Sequence, residues 1–379
     1  MILEMGIISA RKVGLLLAVF WLGAICYFWL PNHIPDFLNL RTKSHSDKNS
    51  LESRVNSPLR VTGLLEDRAP LGDKGNVPSS GKVVHVCITS DKNTLGGMVT
   101  LMNSIVSNTK SPVKFHLVVD SDSTDHLGIW LRTSKLKNAD FEIKAFPLSW
   151  VSGKIKVRGG RDELGTPLNY ARYYLPRLFP KLKERVVFID DDCIVLGDIA
   201  ELNNMTIKPG HIAAFSEDCS GLSKRLSRLT NVYAEYLDFK NEHIKKLNIK
   251  PDACSFNTGV FVTDLAIWQQ LNITSQLDYW MELNTKEEVY GNEKGGGGSQ
   301  PPMMIVFYNK YSPIDPMWHV RYLGWTPGTS YSQSFVRQAK LLHWNGRFKP
   351  WGRTSQHSDL WDKYFIPDPI NQFRPVRRA

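Results

Sequence analysis

No arginine-rich arm, zinc-finger pattern or RNP-like aromatic motif occurs in the 379 residues. The usual signatures of nucleic-acid binding are therefore missing, despite a formal charge of +10 and a pI of about 9.2. No repeat of fixed period appears, which excludes a solenoid. Cysteine is scarce, with five residues in all. Apolar content of 42% is that of a globular protein, and the length suits one large α/β domain plus extras, or two domains. The basic balance suits an anionic ligand such as a lipid headgroup or a nucleotide diphosphate.

Charge is also absent from Val13 to Leu30, an apolar run preceded by Arg11-Lys12. Its length reaches the lower range for a membrane-spanning helix, and the basic pair places the N-terminal side in the cytosol. A cleaved signal peptide competes, with Ala24-Ile25-Cys26 as a poor cleavage site. The run continues through Tyr27, Phe28, Trp29 and Leu30, so an uncleaved anchor is the expectation. This divides the chain into a cytoplasmic tail (1–12), a signal-anchor (13–30), a polar flexible stem (31–81) rich in Ser, Asn, Pro and Gly, and a lumenal domain (82–379). Asn204-Met205-Thr206 and Asn272-Ile273-Thr274 are N-glycosylation acceptor sequences in agreement with a lumenal domain. Four cysteines lie beyond the anchor and allow three pairings. Sequence alone does not choose among them; Cys219 with Cys254 is the expected pair, because Cys87 falls in a buried strand and reads as a core thiol.

Within the lumenal part, strands are expected at Val83–Ser90, Lys114–Val119, Phe141–Phe146, His211–Ser216 and Ser255–Thr263. Helices are expected around Met98–Ile105, Ala266–Leu283 and Ser332–Lys340. Strands alternating with helices imply βαβ units and a mainly parallel sheet flanked by helices. The glycine tract Gly295–Gly298 lacks a strand-turn-helix context and reads as a loop.

The feature that carries chemistry is Asp190-Asp191-Asp192, at the end of the apolar strand Val186-Val187-Phe188-Ile189. Clustered carboxylates repel, and a hard divalent ion such as Mn²⁺ or Mg²⁺ relieves that repulsion through oxygen ligands. In α/β sheets the ligand crevice lies outside the carboxyl ends of the strands. A solvated acidic turn is the plain alternative. Near the C-terminus, His343-Trp344-Asn345-Gly346-Arg347-Phe348-Lys349-Pro350-Trp351 offers an imidazole ligand, a glycine for close backbone approach and a cation for phosphate. Alone, that segment also reads as a structural turn with buried tryptophans.

Together, the Asp-x-Asp and the His-x-x-Gly-x-x-Lys-Pro-Trp segment resemble glycosyltransferase family 8. The match runs from about Val83 to Trp351 and includes Asn169-Tyr170-Ala171-Arg172 and Phe256-Asn257-Thr258-Gly259. At closer range the chain looks like the animal glycosyltransferase 8 domain-containing proteins, through Ala213–Cys219 and Leu341–Gly346. The resemblance implies a GT-A fold, a UDP-sugar donor, a divalent ion and a retaining transfer of a hexose or pentose. By the match, Asp190, Asp192 and His343 would hold the metal. Asp191 would face the nucleotide or a neighbouring backbone group. Gly346 and Lys349 would meet the diphosphate, Arg172 the phosphate or donor sugar, Asp91 the nucleoside and Asn257 the sugar. The anchor and stem fit a type II Golgi membrane enzyme acting on a glycan, protein or lipid. Two departures stand out. Thr94 replaces the tyrosine that stacks on uracil, and Ser299-Gln300-Pro301 replaces an Asp-Gln-Asp stretch lining the sugar, leaving Gln300 as its remnant. A lumenal nucleotide-sugar-binding protein with impaired catalysis is the alternative these departures raise.

Overall fold

A computed structural model describes residues 82–158, 162–219, 231–291, 298–325 and 331–377. The expected tail, anchor and stem, with Cys26, lie outside the described residues, as do Gly295 to Gly297. Among the described residues no helix is long and apolar enough to cross a membrane.

Among the described residues, runs rich in β-branched and aromatic residues form nine strands. They are β1 (Val84–Thr89), β2 (Val113–Val119), β3 (Asp140–Ala145), β4 (Arg185–Ile189), β5 (Cys193–Val195), β6 (Ala213–Glu217), β7 (Phe256–Asp264), β8 (Tyr311–Pro313) and β9 (Leu341–His343). Seven make one sheet in the order β3-β2-β1-β4-β7-β6-β8, in which only β7 runs against the rest. The strands β5 and β9 form a separate antiparallel ribbon that sets Cys193 opposite His343. The longer helices are α1 (Leu95–Asn108), α2 (Thr124–Thr133), α3 (Ile273–Lys286) and α4 (Gln300–Phe307).

Alternation along β4 shows why the sheet is covered on both faces. Val187 and Ile189 join one core with α1, α2 and the ribbon, while Val186 and Phe188 join the other with α3, α4 and Tyr170–Phe179. Phe188 stacks on Phe261 of β7, with ring centroids 4.8 Å apart. A strand buried on both sides ends abruptly at Asp190, which delivers the triplet to the carboxyl edge.

The expected strands are present within a residue or two at each end. The helices differ in two places. The segment Ala266–Leu283 is two helices, Leu265–Gln270 and α3, because Asn272 takes a φ of 52° and turns the chain between them. Ser332–Lys340 holds only one helical turn, Gln333–Val336, capped by Ser332 Oγ accepting from Phe335 N. The chain must then straighten so that Lys340 O accepts from Leu196 N and Gly197 N at the start of the β5–β9 ribbon. Cys219 and Cys254 are bonded, with Cα atoms 5.7 Å apart, and Cys87 and Cys193 are buried free thiols. Asn204 and Asn272 are both exposed. Near the C-terminus, Arg377 forks onto the Asp362 carboxylate.

Candidate metal and diphosphate site

Three backbone devices place the aspartates. Asp190 N donates to Gly259 O of β7 at 2.7 Å, and Trp344 N donates to Asp192 O at 3.0 Å, just past β9. Gly97 of α1 lets the triplet come close, since a Cβ there would stand 2.4 Å from Asp191 O. The triplet is therefore held between β7, the ribbon and α1, and its three side chains diverge.

Asp190 Oδ1 accepts from Arg172 Nη2 at 2.8 Å. The same guanidinium donates to Thr258 O and to Asn169 O and Oδ1, and lies 4.5 Å from the Phe188 ring centroid. Burial raises the Asp190 carboxyl, with Arg172 opposing and Asp192 adding to the rise. Asp191 turns to the hydroxyls of Ser90 and Thr94. Burial, then the neighbouring Asp192, push it up to about 8, so a large part of this group is protonated at neutral pH. Thr94 thus bonds to the triplet and to Ser90 Oγ at 2.8 Å. Asp192 goes the other way. Its burial would raise it, but opposing charge, that of Lys349 first, outweighs that and holds it well below the usual range. Lys349 Nζ donates to Asp192 Oδ2.

His343 Nε2 lies 2.9 Å from Asp192 Oδ1 and 4.0 Å from Asp190 Oδ2. On its other side, Nδ1 meets His319 Nε2 at 2.7 Å, with the two rings stacked. One proton sits between those two nitrogens. With that proton on His343 Nδ1, Nε2 presents a lone pair to Asp192 Oδ1, and two acceptors then face each other. Asp192 Oδ1 is indeed buried without an aligned hydrogen-bond donor. Gly259 keeps the adjoining space open, since a Cβ there would stand 2.5 Å from His343 Cε1 and 2.6 Å from Asp190 Oδ2. Two carboxylates and an imidazole around a space bare of side chains fit a divalent cation. Ligand atoms of Asp192, Cys193 and His343 also fall within 4.8 Å of one another. Cys193 is nonetheless a poor ligand: burial and the aspartates push its thiol well up, and it packs into the apolar core.

Beside this cluster opens a cavity of about 420 Å³ that reaches Asn257, Gln300, Gly346 and Lys349. Asn257 Oδ1 accepts from Gly259 N, and its Nδ2 lies 3.4 Å from Gln300 Oε1. Ser299 Oγ donates to Asn169 Oδ1 at 3.0 Å, so this replacement of an acidic residue supports the Arg172 side of the site. Gly346 has a φ of 128°, and a Cβ there would stand 2.3 Å from Gly324 O. Asp91 is apart: it caps its own turn by accepting from Asn93 N and does not line the cavity.

The sequence profile described as "Glycosyl transferase family 8" matches residues 85–355. This chain belongs to glycosyltransferase family 8. Family 8 relatives include "Glycosyltransferase 8 domain-containing protein 1" of Danio rerio, 49% identical over 79% of this chain and 82% of that protein. The protein of the same name in Homo sapiens is 41% identical over 98% of both chains. "Glycosyltransferase 8 domain-containing protein 2" of Mus musculus is 43% identical over 83% of this chain and 94% of that one. Among solved structures, the galactosyltransferase LgtC, in complex with donor and acceptor sugar analogues, superposes with a TM-score of 0.53. It is 13% identical and covers 74% of this chain and 95% of its own. The bifunctional glycosyltransferase WbbM gives 0.54 at 18% identity, over 78% of this chain and 52% of its own. The family 8 domain thus has the GT-A fold that the resemblance implied, on the mainly parallel sheet that its strand pattern led us to expect.

Sequence reasoning missed His319, which carries no motif of its own, and a buried ion pair at the far end of the cavity. There Arg321 Nη1 donates to Asp218 Oδ1 and Nη2 to Glu217 O, while Tyr322 OH reaches Asp218 Oδ1 at 3.3 Å. Asp218 directly follows β6, so the carboxyl-edge rule applied to every strand would have found it. No signal marks Arg321.

Proposed function

We propose that this glycosyltransferase is a type II Golgi membrane enzyme. It transfers a hexose or pentose from a UDP-sugar, with retention and with Mn²⁺ or Mg²⁺, to a glycan, protein or lipid acceptor. The observation that carries the metal and donor reading is the buried Asp192 Oδ1 facing His343 Nε2, with Lys349 beside it. The uncharged apolar run Val13–Leu30 behind Arg11-Lys12, the stem and the two exposed glycosylation asparagines support the cellular placement.

A bound divalent ion would supply Lewis-acid stabilisation of the departing diphosphate. Asp190, Asp192 and His343 would hold it. Lys349 already aims its ammonium at that place and would exchange Asp192 for a phosphate oxygen as UDP departs, stabilising charge where it develops. Arg172 opposes the burial that raises the Asp190 carboxyl, and orients it. Gly259 and Gly346 leave room for close approach of the ligand, and Asn257 with Gln300 offers amide groups to sugar hydroxyls. The test is a UDP-sugar panel given to the full-length chain, with and without Mn²⁺. Hydrolysis or transfer that stops on chelation is expected, and equal rates without the metal would refute the metal role.

Ser299-Gln300-Pro301 favours a second reading, a lumenal binding protein with impaired catalysis, because no carboxylate of that stretch lines the cavity. Under that reading UDP-sugars bind in a metal-dependent way, yet every donor survives unhydrolysed.

A further inference from the structure

Along the carboxyl edge of the sheet the polar groups stand in strand order. Asp91 follows β1, Asp190 and Asp192 follow β4, Asn257 opens β7, and Asp218 follows β6. The cavity extends from the aspartates to Asp218 and leaves out Asp91. Its open space therefore lies on the β6 side of the metal and phosphate groups, away from the place expected for the nucleoside.

At that far end, the buried Asp218–Arg321 pair and Trp325 both line the cavity. This indole is 47% exposed, whereas Trp318, Trp344 and Trp361 are buried. The backbone around it is fixed. Tyr322 holds a φ of 71°, a left-handed conformation that costs a bulky residue about 1–3 kcal/mol and persists only where its surroundings impose it. Tyr322 N donates to Asn345 Oδ1, and Phe348 N donates to Gly324 O at 2.9 Å. Trp325 N reaches Tyr322 O at 3.4 Å, and the Tyr322 ring stands edge-on to the indole. The turn is thus bound to the Asn345–Lys349 segment, and a large flat apolar surface is presented beside a polar cavity end.

A sugar ring has the complementary form, with C–H groups on a face and hydroxyls at its rim. Stacking on the indole would cover that face, and hydroxyls would reach the polar edge of the Asp218–Arg321 pair. An acyl chain would instead meet a buried ion pair, which disfavours a lipid tail here. We infer that Trp325 is the platform for the acceptor and that the acceptor is a saccharide, an inference that rests on the glycosyltransferase function proposed above.

The experiment is a glycan array probed with the full-length chain in detergent, with UDP and Mn²⁺ present, and UDP affinity measured on each sample. The parent protein is expected to bind a subset of the glycans. Trp325→Ala should weaken those signals about ten- to thirtyfold, the usual effect of truncating an aromatic anchor, and Trp325→Phe should restore most of them. UDP affinity of these variants should stay within about twofold of the parent's, which separates a lost platform from a misfolded domain. Glycan binding by Trp325→Ala equal to the parent's would overturn the platform. A parent that binds UDP with Mn²⁺ but no glycan would overturn the saccharide acceptor and leave the donor reading standing. A parent that binds no UDP removes the donor reading itself, and the inference falls with it.

Discussion

Two arrangements of paired histidines and a carboxylate occur in this domain, and they end differently. In the first, His85 Nδ1 meets His116 Nε2 at 2.9 Å, and His116 Nδ1 meets Glu142 Oε1 at 2.7 Å. It crosses β1, β2 and β3 on one face of the sheet, and both nitrogens of His116 have partners. In the second, His319 meets His343, and His343 meets Asp192, at similar distances. There the series stops at two unmatched atoms, Asp192 Oδ1 and His319 Nδ1, both buried. Residue types and distances are alike. What separates a structural relay from a ligand site is the unsatisfied atom beside open space, since a buried polar group without a partner costs stability that something bound can restore.

The largest break in this comparison is expected from Asp192→Asn. Losing a charged ligand should lower metal-dependent UDP-sugar turnover about 10²–10³-fold, measured as initial rates. His116→Ala should lower the melting temperature and leave turnover per folded molecule unchanged; a matching fall in turnover would erase the distinction. Lys349→Ala should weaken UDP binding by about 1.5–3 kcal/mol in calorimetry, and an unchanged affinity would remove it from the diphosphate. His319→Ala should lower Mn²⁺ affinity about 10–100-fold, as outer-shell partners of metal-bound histidines do, read by Mn²⁺ titration without any donor. A thermal shift with intact Mn²⁺ affinity would make His319 purely structural.

The smallest effect sharpens the comparison from the first relay. Burial lowers His116 to about 4, and the carboxylate of Glu142 opposes this while His85 and Lys114 add to it. Burial lowers His85 as well, against Glu184, Asp140 and Glu142. The unfolded chain then binds more protons between about pH 6.5 and 4, so the stability is full above that window and is lost as pH falls through it. From pH 7.5 to 6 the His116 contribution should fall by about 1 kcal/mol, seen as a declining melting temperature. His116→Gln should flatten that decline, and an unaltered slope would assign it to other groups.

Much of this was legible in the sequence for local reasons. The strand Val186–Ile189 reads as buried because every residue is apolar, and its end at three aspartates puts them at the edge without further knowledge. His343 and Lys349 follow from the resemblance of their motif to family 8, not from the segment read alone. The break at Asn272 was hidden because periodicity reports a helical face and not a single residue's φ. The Asp218–Arg321 pair was hidden because its members are a hundred residues apart and meet only when β6 and the segment after β8 fold. The role of Thr94 was hidden too, since its contact with Asp191 depends on how closely Gly97 lets α1 approach.

The ribbon of β5 and β9 has a consequence in time. Its first strand leaves the ribosome long before its second, so a growing chain of 379 residues holds Asp190 and Asp192 without His343 over a long stretch of synthesis. The β1–β4 half can begin folding in that interval, since domains form from the N-terminal side as they emerge. A molecule broken off before Leu341 would keep all seven strands of the main sheet and lack the strand that brings His343 to Asp192. The sheet and the cluster at its edge are thus completed at different times.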